Sequence, residues 1–97
     1  MQVKKTLEDG KLTLEVSGRL DTNTASDLES ELALDGAGEV VFDFSGLEYI
    51  SSAGLRVLLL AKKSTMSAGQ KMSVVNANDT VRGVLEITGC GEMFGLV

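Results

Sequence analysis

The 97-residue sequence predicts an α/β fold: a mixed β-sheet opened by a hairpin, with about three helices packed mainly on one face. Three observations predict it. Leu12, Leu14 and Val16 alternate with Thr13 and Glu15 directly after an Asp9-Gly10 turn signal, the pattern of a strand with one dry face entered through a hairpin. Val40-Val-Phe-Asp-Phe44 is nearly all apolar, as a central strand covered more fully than the hairpin should be. Between and after these strands, apolar residues recur at helical spacing.

Val3 to Leu7 reads as a weak first strand and Lys11 to Ser17 as the second. Thr24 with Asp27 resembles a capping box, Asp replacing the usual Glu, and opens a first helix whose Ala25, Leu28 and Leu32 face inward. Its acids crowd the early turns, where the helix dipole favours them. Gly36 and Gly38 are expected to end it. A second helix runs from about Ser52 to Ala68, with an inner stripe of Leu55, Leu58, Leu59 and Met66 widened by Val57, Leu60 and Ala61. Gly69 is its expected stop. Met72, Val74 and Val75 form another strand, and Asn78 caps a third helix carried by Val81, Val84, Leu85 and Thr88 and ended by Gly89. Met93 to Val97 is expected to supply a short final strand. The half-polar second strand implies that one sheet face, at least near that edge, meets water.

Length and a hydrophobic content of 43% suit a single domain over residues 1–97 with one core. No apolar run suggests a membrane span, and Met1-Gln-Val-Lys-Lys-Thr6 lacks the apolar core of a signal peptide, so a cytoplasmic location is expected. Cys90, the only cysteine, cannot form an internal disulfide, which agrees with a reducing compartment. A net charge of −5 argues against nucleic-acid binding and against direct docking on an anionic membrane. The chain has no histidine, which excludes a Ser-His-Asp or Cys-His nucleophile pair and removes the usual zinc ligand. The acids are scattered through turns and outer helix faces, so neither an enzyme nor a cofactor is expected.

The most informative stretch is Asp43 to Leu59, a buried strand, a short turn, then Ser51-Ser52 where the leucine-rich helix begins. A phosphate on a serine there would meet unpaired backbone N–H groups and the positive end of the helix dipole. The local pattern fits a regulatory phosphorylation site and, equally, a plain N-cap serine.

These residues resemble the STAS domain family, and within it the small bacterial anti-sigma factor antagonists of the SpoIIaa-like fold. Gly18-Arg-Leu-Asp21 with Thr24-Ala25 is similar to the family's G-x-L-D element, Val41 to Ile50 to its central strand and following loop, and Ser51-Ser-Ala-Gly-Leu55 to its D-S-[ST]-G-L phosphorylation motif. Asn78 to Gly89 fits its third helix more loosely. The likeness covers nearly the whole chain in one element order. It implies an anti-anti-sigma factor that binds an anti-sigma factor serine kinase while unphosphorylated, freeing a sigma factor, and is switched off by phosphorylation. Alignment on Gly54-Leu55 places the acceptor at Ser52, with Ser51 as its rival, and implies a PP2C-type serine phosphatase for reversal.

Two departures stand out: Ser51 replaces the family's aspartate, and Ala53 replaces its second Ser or Thr. The resemblance also implies partner contacts for Asp21, Ser51, Ser52, Ala53, Gly54 and Arg56. Each has a plainer alternative where one exists: a capping carboxylate for Asp21, a tolerated first-turn glycine for Gly54, a solvated side chain for Arg56. Asp43 is read as structural and Cys90 as inert filler. The extra C-terminal helix of longer members is expected to be missing after Val97. The leading alternative function is a non-switching STAS subunit docking onto a membrane transport complex. A nucleotide-binding module is disfavoured because no P-loop is present and Gly89-Cys-Gly91 is only a short glycine pair.

Overall fold

Asp9 and Gly10 both adopt positive φ, 50° and 77°, the condition for a tight turn whose twist matches its flanking strands. They join β1 (Gln2–Glu8) to β2 (Lys11–Leu20) as an antiparallel hairpin running from Glu8↔Lys11 to Gln2↔Ser17. The computed structural model describes residues 1–97 throughout. β2 lies parallel to β3 (Glu39–Ile50), which lies parallel to β4 (Lys71–Val75), so the sheet order is β1-β2-β3-β4. Strands added in sequence order by right-handed crossovers place α1 (Ala25–Glu29) and α2 (Ser52–Ala68) on one side of the sheet. α3 (Asp79–Ile87) joins them in the same core.

That core is assembled across the strands in register. Leu12, Val40 and Met72 form one row and Leu14, Phe42 and Val74 the next, all buried. Ala25 and Leu28 of α1, Val57, Leu58 and Ala61 of α2, and Val81 and Leu85 of α3 close over them. The alternate rows, Thr13–Val41–Ser73 and Glu15–Asp43–Val75, face away from the helices. This is the open, largely polar sheet face expected from the alternation in β2, with Val41 its one buried apolar residue.

Four local expectations are corrected. The first helix stops at Glu29, well before Gly36. The Ser30 hydroxyl donates to the Asp27 carbonyl at 2.8 Å, the acceptor that a continuing helix needs, and the Glu31 N–H turns to Leu28 O instead. Beyond it the chain is held by side chains: Lys5 Nζ donates to Glu31 O and Ala33 O, and Gln70 Nε2 to Leu34 O and Ala37 O. Leu34, not Leu32, supplies the buried anchor.

The short turn expected after Phe44 is instead strand. β3 carries one extra residue against β2 between Asp43 and Gly46 and another between Leu47 and Tyr49. Each bulge advances the inward position by three residues, so Phe44, Leu47 and Ile50 all reach the core. That spacing resembles neither strand nor helix in one dimension.

The buried stripe of α2 is Gly54, Val57, Leu58, Ala61 and Thr65. Leu59 and Met66, expected inside, are 37% and 69% exposed. With apolar residues around most of the helix, hydrophobicity alone does not choose a face; the sheet does.

Met93–Val97 is not a strand but a run of turns with one parallel bridge, Val74↔Leu96. Phe94 plugs the core, and Gly95 O and Val97 N pair with Val74 on the outer edge of β4. Gly95 has φ +69°, and a side chain there would strike the Met72 carbonyl, so the turn requires glycine. Two expected caps hold: Gly69 ends α2 in the left-handed region, and Asn78 Oδ1 accepts from Val81 N at 2.8 Å.

Candidate functional site

Parallel strands carry their chemistry at their C-terminal ends, where the following loops converge. Here Leu20 and Ile50 pair as the last residues of β2 and β3, and Ser51 N donates to Leu20 O at 2.9 Å. The Asp21 loop and the start of α2 therefore leave the sheet side by side. The two bulges in β3 set this register, so they also set which residues meet.

Ser51 is the N-cap of α2, with extended backbone (φ −103°, ψ 177°). Its Oγ accepts from Gly54 N at a long 3.5 Å, and its carbonyl accepts from Leu55 N. Ser52 is the first helical residue; its side chain is exposed and its hydroxyl makes no hydrogen bond within the chain. The two serines thus differ in kind. One hydroxyl is occupied in capping, the other is free at the helix entrance. Ala53 is half-buried against the core.

Gly54 is buried, and its need for space faces inward. A Cβ there would lie 2.7 Å from Leu20 Cγ and 2.8 Å from Ile50 Cγ1. A merely tolerated glycine does not account for it: the absent side chain lets α2 start against the paired strand ends. Gly54→Ala is expected to destabilise by about 1–3 kcal/mol through overpacking, read as a lowered denaturation midpoint with an unchanged slope.

Asp21 is fastened by its own loop. Oδ1 accepts from Asn23 N at 3.0 Å and Thr24 N at 3.2 Å, with the Thr24 hydroxyl also 3.2 Å away. The capping box expected for Thr24 and Asp27 is absent. Thr24 makes no side-chain cap bond; its hydroxyl donates back to Arg19 O at 2.7 Å and accepts from Asp21 N. The half-buried Asp21 carboxylate closes the loop in its place.

Arg19 and Tyr49 complete this end of the sheet, and neither was singled out in the sequence. They are register partners, with the Arg19 guanidinium 4.5 Å from the Tyr49 ring centre and Nε 3.7 Å from Asp21 Oδ2. Their pairing depends on the bulges, which is why no one-dimensional signal marked it. Arg56 is neither free in solvent nor aimed at Ser52: Nη2 lies 3.2 Å from Glu29 Oε1, an exposed link between α1 and α2. Such a pair contributes roughly 0–1 kcal/mol.

Partial burial acts to raise the Asp21 carboxyl pKa, but hydrogen bonds from Asn23 and Thr24, aided by Arg19, outweigh it and hold it below the ordinary aspartate value. Asp43 behaves likewise: burial raises it, while Ser45 N, the Asn76 amide and the Ser45 hydroxyl lower it further. Both groups bind protons more weakly when folded. Stability from them is therefore present above the unfolded pKa of about 3.9 and is lost as pH falls through the lower folded values. Acid titration of the denaturation midpoint should decline below about pH 4, more shallowly in Asp21→Asn and Asp43→Asn.

The family model described as Mlab, STAS domain matches residues 3–97. The chain belongs to the STAS domain family. Solved structures with the same fold include unphosphorylated SpoIIAA, an anti-sigma factor antagonist, at 15% identity and TM-score 0.84, covering 99% of this chain and 86% of that one. An anti-sigma factor antagonist from Mycobacterium paratuberculosis matches at 26% identity and TM-score 0.87, covering 98% and 83%. A sulfate transporter family protein from Wolinella succinogenes matches at 18% identity and TM-score 0.77, covering 95% and 80%. No curated protein sequence matches the chain. The STAS fold expected from the sequence is thereby established, and no helix in it is long and apolar enough to cross a membrane.

Proposed function

We propose that this STAS domain is an anti-sigma factor antagonist that docks an anti-sigma factor serine kinase through the surface at the start of α2, freeing a sigma factor. Phosphorylation of Ser52 breaks that contact, and a PP2C-type serine phosphatase restores it. The observation that carries this reading is the free, exposed Ser52 hydroxyl at the first residue of a 17-residue helix, next to the Asp21 loop. A phosphoryl group there lies at the positive end of the helix, beside backbone donors, and needs no refolding to be accommodated. Ser51, whose hydroxyl already caps the helix, is the less available acceptor. Asp21, held rigidly beside the serines and flanked by Arg19, offers the kinase a fixed anionic contact. The domain itself performs no chemistry; the kinase supplies ATP and catalysis.

Incubation with the cognate anti-sigma factor and ATP should add one phosphate by intact mass, retained in Ser51→Ala and lost in Ser52→Ala. A second reading is supported by the sulfate transporter relative and by Ser51 standing where the family's phosphorylation motif has aspartate. There the same helix face is a permanent docking surface on a membrane transport complex. Absence of any phosphate increment would favour that subunit role over the switch.

A further inference from the structure

Beyond Ser52, α2 presents a second feature on its outward face. At about 100° per residue, Leu55, Leu59 and Met66 fall along one line that continues from Ser52 for about 21 Å. Leu55 is half-buried, Leu59 is 37% exposed and Met66 69% exposed. Lys62 and Lys63 bracket this line on either side, and neither takes part in an ion pair; Arg56, near its upper end, is tied to Glu29. The charge distribution is one-sided. None of the chain's fourteen acidic residues lies in α2, while three of its nine basic ones do, in a molecule of net charge −5.

We propose that this line docks an acidic amphipathic helix of a protein partner, its apolar ridge lying along Leu55, Leu59 and Met66 and its carboxylates reaching Lys62 and Lys63. The proposal rests on reading α2 as the docking surface; it extends that surface about four turns past Ser52 and names the partner's chemistry. Leu55, Leu59 and Met66 stand at i, i+4 and i+11, and an apolar row along one face is how such surfaces receive a partner helix. Charge selects the occupant. An acidic partner is repelled by much of this anionic surface and attracted to this acid-free helix, which orients it. An anionic bilayer meets the same lysines, but it must also lie against α1, whose Asp27 and Glu29 are exposed beside α2. The acidic α1 of a second copy offers no matching ridge, because its apolar residues Ala25 and Leu28 are buried.

The test is an NMR titration of the isotope-labelled chain with a synthetic peptide of about five helical turns carrying a leucine ridge flanked by glutamates. Saturable amide shifts at Leu55, Leu59, Lys63 and Met66 are expected. Affinity should fall about tenfold in the Lys62→Glu/Lys63→Glu variant and fall with added salt. Lys63 is exposed and Lys62 half-buried, so an unchanged thermal melt checks the fold; Met66→Asp, which removes the ridge without touching the lysines, must weaken binding as well. Any of three results overturns the proposal: no shifts on α2, equal shifts with a lysine-flanked peptide, or larger shifts of the same amides on phosphatidylglycerol vesicles. The titration uses neither kinase nor phosphate. A failure of Ser52 to be phosphorylated leaves it standing, and its own failure leaves the Ser52 reading to the mass measurement.

Discussion

Ser52→Glu is expected to weaken docking of the anti-sigma factor kinase about a hundredfold while leaving the fold in place. Two environments of one side chain produce the difference. In the free domain the side chain is solvated at the helix entrance, where a negative charge is stabilised by about 0.3–1 kcal/mol. Phosphate itself brings about −1.5 to −2 charges at neutral pH. Within an interface that charge loses its water beside a partner surface shaped for a neutral hydroxyl, at a cost of several kcal/mol. A net loss near 3 kcal/mol corresponds to about two decades in Kd. Isothermal titration of wild type, Ser52→Ala and Ser52→Glu reads the effect directly. Binding that survives in the glutamate form and in the enzymatically phosphorylated form would remove the exclusion mechanism. Backbone NMR shifts should change only around the start of α2; changes spread through β1 or α3 would indicate refolding instead.

Phe94→Ala should have the largest effect on stability, about 3–5 kcal/mol. Phe94 is fully buried, yet it lies in a segment of turns with a single β-bridge. Loss of the ring removes its burial and leaves a cavity in the shared core. It also loosens the pairing of Gly95 and Val97 with Val74, which covers the outer edge of β4. Chemical denaturation should show a large drop in midpoint, and hydrogen exchange should show early opening of the Val74 amide. A loss below about 1 kcal/mol would mean that the C-terminal segment is decoration on a core complete without it.

Much of the architecture was legible because it rests on local rules. The Asp9-Gly10 turn, the alternation in β2, the Gly69 stop and the Asn78 cap each depend on residues adjacent in the chain. The serine pair at a helix entrance was equally local. What escaped was non-local. The first helix ends early because Ser30 takes a backbone acceptor and because Lys5 and Gln70, distant in sequence, satisfy the carbonyls that follow. The orientation of α2 escaped because nearly every side of it is apolar. Gly54 was noticed for its position, but the reason for it lies with Leu20 and Ile50 on the strand ends.

By itself, then, the order of residues determined the types of the seven elements from β1 to α3, the hairpin, the open polar sheet face and the place where a hydroxyl meets a helix start. Periodicity and turn chemistry are properties of neighbours, and neighbours are what a sequence records. Only the tertiary structure decided the bulged register of β3, and with it that Arg19 stacks on Tyr49 and that Asp21 emerges beside Ser51. It also decided that Leu59 and Met66 look outward. Both outcomes depend on which apolar faces find a partner across the sheet, a competition settled by packing in three dimensions.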